Sequence, residues 1–260
     1  MTDGEVPVPM GDRVRGIPVC FQCDLIETGR YPTRLMGGVL VARQERAVRT
    51  RRTIVEAAGA VFDEHGYAAA TIAMVLERAE VTKGALYFHF PSKESLAQAV
   101  LDEQLSLGDV PPHPCRLQEI VDMTFVFGHR LRTNSLLKGS VRLTLDQCAP
   151  PGVDHTGPFR QWSDRVVEML QGARDQGELL PTVQPRDTAD LLVGAFAGVQ
   201  LMSRALHARE DLGHRISVLW SHLLPSIAVP GLLSGLDTRP DRAARVLASA
   251  QSGELVGAEA

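Results

Sequence analysis

An all-α chain is predicted: an N-terminal three-helix unit containing a helix-turn-helix, followed by a larger helical unit. Three observations carry this. Apolar residues recur at helical spacing from about residue 44 to residue 228. Thr71, Thr82 and Ser92 stand where periods open, Gly66 and Pro91 stand where they close, and Gly177 and Pro185 punctuate later gaps. The one stretch that could pass for a buried strand, "VTKGALYFHFPSKESL" at 81–96, holds three of the thirteen aromatic residues, yet it has a capping threonine before the cluster and a proline after it.

Taken in order, residues 1–40 hold glycines and prolines without periodicity and read as a disordered extension. The character changes at Val41, where translation could also begin, since a valine codon can serve as a start. Ile54, Ala58, Val61 and Phe62 then form the stripe of a core-facing helix that Gly66 stops. Thr71 caps "IAMVLERA", with Ile72, Val75, Leu76 and Ala79 on one face. After Glu80 and Val81, Thr82 caps a short helix, "KGALYFHF", which Pro91 ends. Ser92 caps the next, with Glu94 in its first turn, and that helix is expected to run through Leu101 towards Leu107. The break "LGDVPPHPC" at 107–115 leads to helices expected at 116–133, 135–147, 158–176, 186–207 and 210–228. The expected domains are 1–40, 41–91, 92–230 and a flexible tail at 231–260, within which "DRAARVLASA" could form a short surface helix.

Composition narrows the function. A hydrophobic fraction of 44% with 22% charged residues is that of a soluble globular protein. No run approaches the ~18–20 apolar residues of a membrane span, and the first residues lack a secretory signal, so a cytoplasmic protein with no membrane partner is expected. Cys20 and Cys23 form a C-x-x-C pair without two further ligands nearby, so no metal site is expected. His129, His155, His207, His214 and His222 are scattered, and there is no H-E-x-x-H, G-x-S-x-G or phosphate loop. Neither an enzyme nor a cofactor is expected.

The net charge of −4 does not exclude nucleic acid, because binding depends on where the positive charge sits. Residues 43–52 carry five arginines and one glutamate, either a solvated helix face or a phosphate-facing one. In the short helix Leu86 and Phe90 are four apart and suit a small core, to which Phe88 is also assigned. Lys83 and Tyr87 share a face that the core does not need, and Gly84 costs ~1 kcal/mol of helix propensity unless something must approach the backbone. A recognition helix enters the major groove by its N-terminal end, where Thr82, Lys83 and Gly84 sit. Tyr87, His89 and Lys93 suit the flanking phosphates, and Arg46 and Thr71 complete the expected contacts to a double-stranded DNA operator.

Residues 51–100 resemble the DNA-binding domain of TetR-family repressors, in the spacing of Phe62, Gly66, Tyr67, Thr71, Val81, Gly84, Leu86, Tyr87, Phe90, Lys93 and Leu96. "VTKGALYFHF", "DEQ" at 102–104 and "LLPSIAVPG" at 223–231 resemble the γ-butyrolactone receptors of that family. The resemblance implies a homodimer that reads a palindrome and releases it on binding a small lactone or furan, switching on antibiotic biosynthesis. A regulator of the same fold that senses an antibiotic or another small molecule is the alternative. The two most apolar segments, "TADLLVGAFAGVQLMSRAL" and "GHRISVLWSHLLPSI", suit pairing with their copies across a two-fold axis. Trp162 falls where the resemblance implies a pocket tryptophan, whose flat face and one N–H suit a lactone ring. Gln104 is a second candidate, as an amide donor at the end of the helix leaving the DNA unit, and Met123, Phe127 and Val193 are expected as apolar lining. Ala197 departs from the family's pattern, in which a threonine is usual.

Overall fold

A computed structural model describes residues 34–145 and 152–257, so Cys20, Cys23, Cys148 and most of the expected extension lie outside the described residues. Helix α1 spans Arg34–Ala69, beginning before the expected limit at residue 40. Gly66, at φ 73°, breaks its helical path as expected and leaves a last turn. Helix α2 (Ile72–Ala79) opens where Thr71 Oγ1 accepts from Met74 N at 3.3 Å. Helix α3 (Lys83–His89) opens where Thr82 Oγ1 accepts from Ala85 N at 3.2 Å. Helix α4 (Lys93–Asp102) opens on a reciprocal cap between Ser92 and Ser95.

Helix α4 does not run on to Leu107. It ends at Asp102, and the chain turns through a 3₁₀ segment at Ser106–Gly108. Arg130 holds this turn by donating to Leu107 O at 2.5 Å and Asp109 O at 3.2 Å, interactions that no local pattern announces. Beyond it come α5 (Arg116–Thr133), α6 (Ser135–Leu145), α7 (Gly157–Asp175), α8 (Pro185–His207) and α9 (Leu212–Ile227), within two residues of expectation at every described end. No side chain caps α5 locally; the buried carboxylate of Glu178 does so from 61 residues away, accepting from Arg116 N at 2.9 Å and Leu117 N at 2.8 Å.

Two hydrophobic cores result. The first gathers Ile54, Val61 and Phe62 of α1 with Val75, Leu86 and Phe90, and takes in Leu96, Val100 and Leu101 of α4. The expected limit at 91/92 therefore cuts through a core. The second lies among α5, α7, α8 and α9, with Trp220 fully buried and its Nε1 donating to Thr124 Oγ1 at 2.8 Å. Helix α6 belongs to both: Leu136 and Leu143 face the first core, Leu137 and Val141 the second.

Among the described residues of the tail expected to be flexible at 231–260, those to 257 include helical segments. Helices α10 (Pro230–Leu233) and α11 (Arg242–Gly257) continue the fold. Arg242 grips the buried Asp122 of α5 with two parallel bonds of 2.7 Å. The Arg239 and Arg245 guanidinium groups hold the Asp237 carboxyl well below the usual carboxylate range.

Helix α8 also departs from expectation, since its best 18 residues reach a mean hydropathy of 1.2, enough by composition for a membrane span, with only 22% of that window buried. Leu191, Leu201, Met202 and Leu206 stand exposed on it, and Val218 on α9.

Candidate DNA-facing surface and effector pocket

Thr82, Lys83, Gly84 and Tyr87 form an open face on α3. A Cβ built on Gly84 would meet nothing within 4 Å, so nothing inside the chain requires glycine there. The Lys83 ammonium lies 5.9 Å from the centre of the Tyr87 ring. Thr71 and Thr82 spend their hydroxyl oxygens as acceptors on helix caps, which leaves each O–H free in direction to donate outward.

Phe88 is not a core residue. It is 80% exposed, because Leu86 and Phe90, four apart, take the core face and Phe88 lies two residues from each, on the opposite side. His89 is half-buried, its ring edge-on to Phe88 with centroids 5.0 Å apart. Arg46 is exposed on α1, while Arg51, which sequence reasoning passed over, is the arginine of that run that reaches the end of α3, 5.2 Å over the Phe90 ring.

Lys93 stands differently from the phosphate contact expected of it. Its ammonium is half-buried, donates to Tyr67 O at 2.5 Å and lies 4.3 Å over the Tyr67 ring. Burial pushes its pKa down. Its first role is to satisfy a carbonyl left open where α1 breaks at Gly66. Beside it Tyr67 donates its hydroxyl to Glu94 Oε1 at 2.9 Å, and burial together with that carboxylate pushes the phenol up to about 12. A phenol raised above its ordinary ~10 favours the folded state below that value and loses the contribution as pH rises towards 12. Urea melts between pH 9 and 12 should therefore show a stability decline over that window that Tyr67→Phe reduces; an equal decline in the variant would refute the assignment.

The second site is a cleft of about 630 Å³, mouth included, bounded by α5, α6, α7 and α8 and the end of the α4 turn. All five residues expected to line an effector site, Gln104, Met123, Phe127, Trp162 and Val193, meet in it. The Trp162 ring packs edge-on against Phe127, centroids 5.1 Å apart, and Phe127 packs edge-on against Phe196 at 5.7 Å. Gly108 abuts the Trp162 ring so closely that a Cβ there would sit 2.8 Å from Trp162 Cζ2. Gln104 Oε1 accepts from Ser140 Oγ and Thr144 Oγ1, both at 3.0 Å, so any bond from Gln104 to a ligand must come from its amide nitrogen. Thr124 is similarly engaged, between Val121 O and Trp220. On the residues that line the cleft, two buried polar side-chain atoms have no partner among the described residues: Trp162 Nε1 and Gln200 Oε1. Sequence reasoning missed Gln200, Phe159 and Phe196. The signal for Gln200 was a lone amide within the apolar run from Leu191 to Met202 of α8.

A helix-turn-helix with an open N-terminal face, joined to a helical unit that encloses an apolar cleft, defines a DNA-binding transcription regulator. Residues 54–100 match the family described as "Bacterial regulatory proteins, tetR family". The A-factor receptor protein of Streptomyces griseus is 41% identical over 218 residues, 82% of this chain and 77% of that protein. The chain belongs to the TetR family. The crystal structure of TylP, a TetR regulator from Streptomyces fradiae, superposes with a TM-score of 0.74 at 45% identity over 79% of this chain and 99% of that one. A γ-butyrolactone receptor, an ArpA-like protein, superposes with a TM-score of 0.59 at 27% identity over 77% and 98% of the two chains.

Proposed function

We propose that this protein is a repressor that binds a palindromic operator as a homodimer and releases it when a γ-butyrolactone-type signal fills the cleft, controlling antibiotic biosynthesis. The observation that carries the reading is an apolar cleft with no charged side chain among its described lining residues, one of which, Trp162, has a buried indole N–H without a partner. A donor in that setting suits a lactone carbonyl. Similarity to the A-factor receptor supports the same assignment.

The second copy covers the exposed seam of α8, where Leu191 and Leu201 flank Gly194 and Gly198, both with open space where a Cβ would be. Release is a population shift: the effector prefers a dimer whose recognition helices no longer fit successive major grooves. A ~100-fold preference corresponds to about 2.7 kcal/mol of coupling, and operator weakens effector binding by the same factor. Gln104, at the turn where α4 leaves the first core, lies where effector contact can displace α4.

Anisotropy titration on labelled duplex from upstream of the protein's own gene tests this. Binding at moderate salt, reversed by γ-butyrolactones, is the expected result. Trp162→Phe should keep operator affinity within about two-fold and raise the half-release concentration by about ten-fold, the worth of one buried hydrogen bond. A complex that no lactone disturbs would sink the butyrolactone reading while leaving operator binding intact.

A further inference from the structure

Helix α3 carries one large side chain that its core does not use. Phe88 is 80% exposed, and its ring meets the half-buried His89 edge-on, centroids 5.0 Å apart. It stands beside Lys83, Gly84 and Tyr87, all exposed, at helical spacings that put the four on one face. No residue of α3 is acidic, so nothing on this helix repels a polyanion.

Gly84, one turn before Phe88, has open space where a Cβ would be. A helical side chain leans towards the N-terminus of its helix, so the Phe88 ring leans towards the turn that Gly84 leaves bare. A base edge that comes close at Gly84 therefore comes within reach of the Phe88 ring. A phenyl ring has no charge and no hydrogen-bonding group, so it has little to offer a phosphate. On the major-groove edges of the base pairs the apolar group is the C5-methyl of thymine. Packing that methyl against the ring takes apolar surface of both out of water.

We infer that Phe88 reads a thymine in each half-site of the operator, by packing its ring against the C5-methyl group in the major groove. Phe88 is then a specificity residue: it makes one position of the half-site prefer thymine to a pyrimidine that lacks the methyl. The inference rests on the reading of α3 as the operator-binding helix, but not on any effector.

A duplex that the full chain selects from a random-sequence pool supplies the probe, and anisotropy titration reads the affinity. Each thymine of one half-site is replaced in turn by deoxyuridine, which removes the methyl group and keeps the base pair. At one position wild type should lose about three- to five-fold in affinity, the worth of one methyl group buried from water. Phe88→Ala should bind the selected duplex more weakly, yet bind its thymine and deoxyuridine forms at that position equally well. Phe88→Leu, smaller but still apolar, should keep part of the preference. Phe88→Ala should also keep the wild-type Tm, because the side chain is exposed, and the wild-type salt dependence, because it removes no phosphate contact. No thymine whose methyl matters, methyl effects of unchanged size in Phe88→Ala at every position, or a shallower salt dependence in that variant would overturn the inference and leave operator binding intact. A pool from which no sequence is enriched would sink the operator reading itself, and the inference with it.

Discussion

Gly139→Ala is expected to lower Tm by about 6–12 °C, the effect of roughly 3 kcal/mol in a chain of this size. Helices α1 and α6 cross at Gly59 and Gly139 with their backbones in direct contact. A Cβ on Gly139 would overlap Gly59 O and lie 2.9 Å from Gly59 Cα, and a Cβ on Gly59 would lie 2.6 Å from Leu136 Cα. The obstruction is backbone, not the movable end of a side chain, so relief requires the two helices to separate. That separation opens the first core, because Leu136 and Leu143 of α6 pack into it alongside Ile54 and Phe62 of α1. Thermal melts followed by circular dichroism read the loss, and a Tm within 2 °C of wild type would refute the close crossing. Operator affinity should fall with it, since α1 supports the α3 that presents Lys83 and Tyr87.

Arg242→Ala is expected to cost about 3–5 kcal/mol, because it leaves the Asp122 carboxylate, its side chain only 5% exposed, without its bidentate partner. Gln118 Nε2 remains as a neutral donor at 2.6 Å, which does not replace a charge. The paired change Asp122→Leu with Arg242→Met should recover most of the loss, as apolar groups of similar volume commonly substitute for a buried ion pair. Denaturant titration of wild type and these two variants forms the test. A single variant as stable as wild type would show that α11 is an appendage, not part of the ligand-domain fold.

Much of this architecture was legible in the order of residues. Thr71, Thr82 and Ser92 cap the helices they were expected to cap, and Leu86 with Phe90 defines the buried side of α3. These are local matters, decided by side chains three or four residues apart. Where a wrong expectation arose, a distant group was responsible. Lys93 turns inward because Tyr67, 26 residues earlier, presents an unmet carbonyl. Helix α4 stops at Asp102 where Arg130 takes the carbonyls of the following turn. The tail folds because Asp122 is 120 residues away in sequence and 2.7 Å away in space. Phe88 is a different case: the helical period already pointed it away from Leu86 and Phe90, and aromatic character alone suggested a core place.

The cleft divides along the same line. Trp162, Gln104 and the apolar lining came from resemblance and were found together, whereas Gln200 required the tertiary structure, since nothing within a few residues of it says that its oxygen is buried and unmet. By itself the sequence determined the helices, their caps and the open face of α3, because those depend on period and near neighbours. Only the tertiary structure decided which polar atoms are satisfied, which helix joins the two cores and how closely backbones cross, because each of these depends on pairs of groups far apart in the chain.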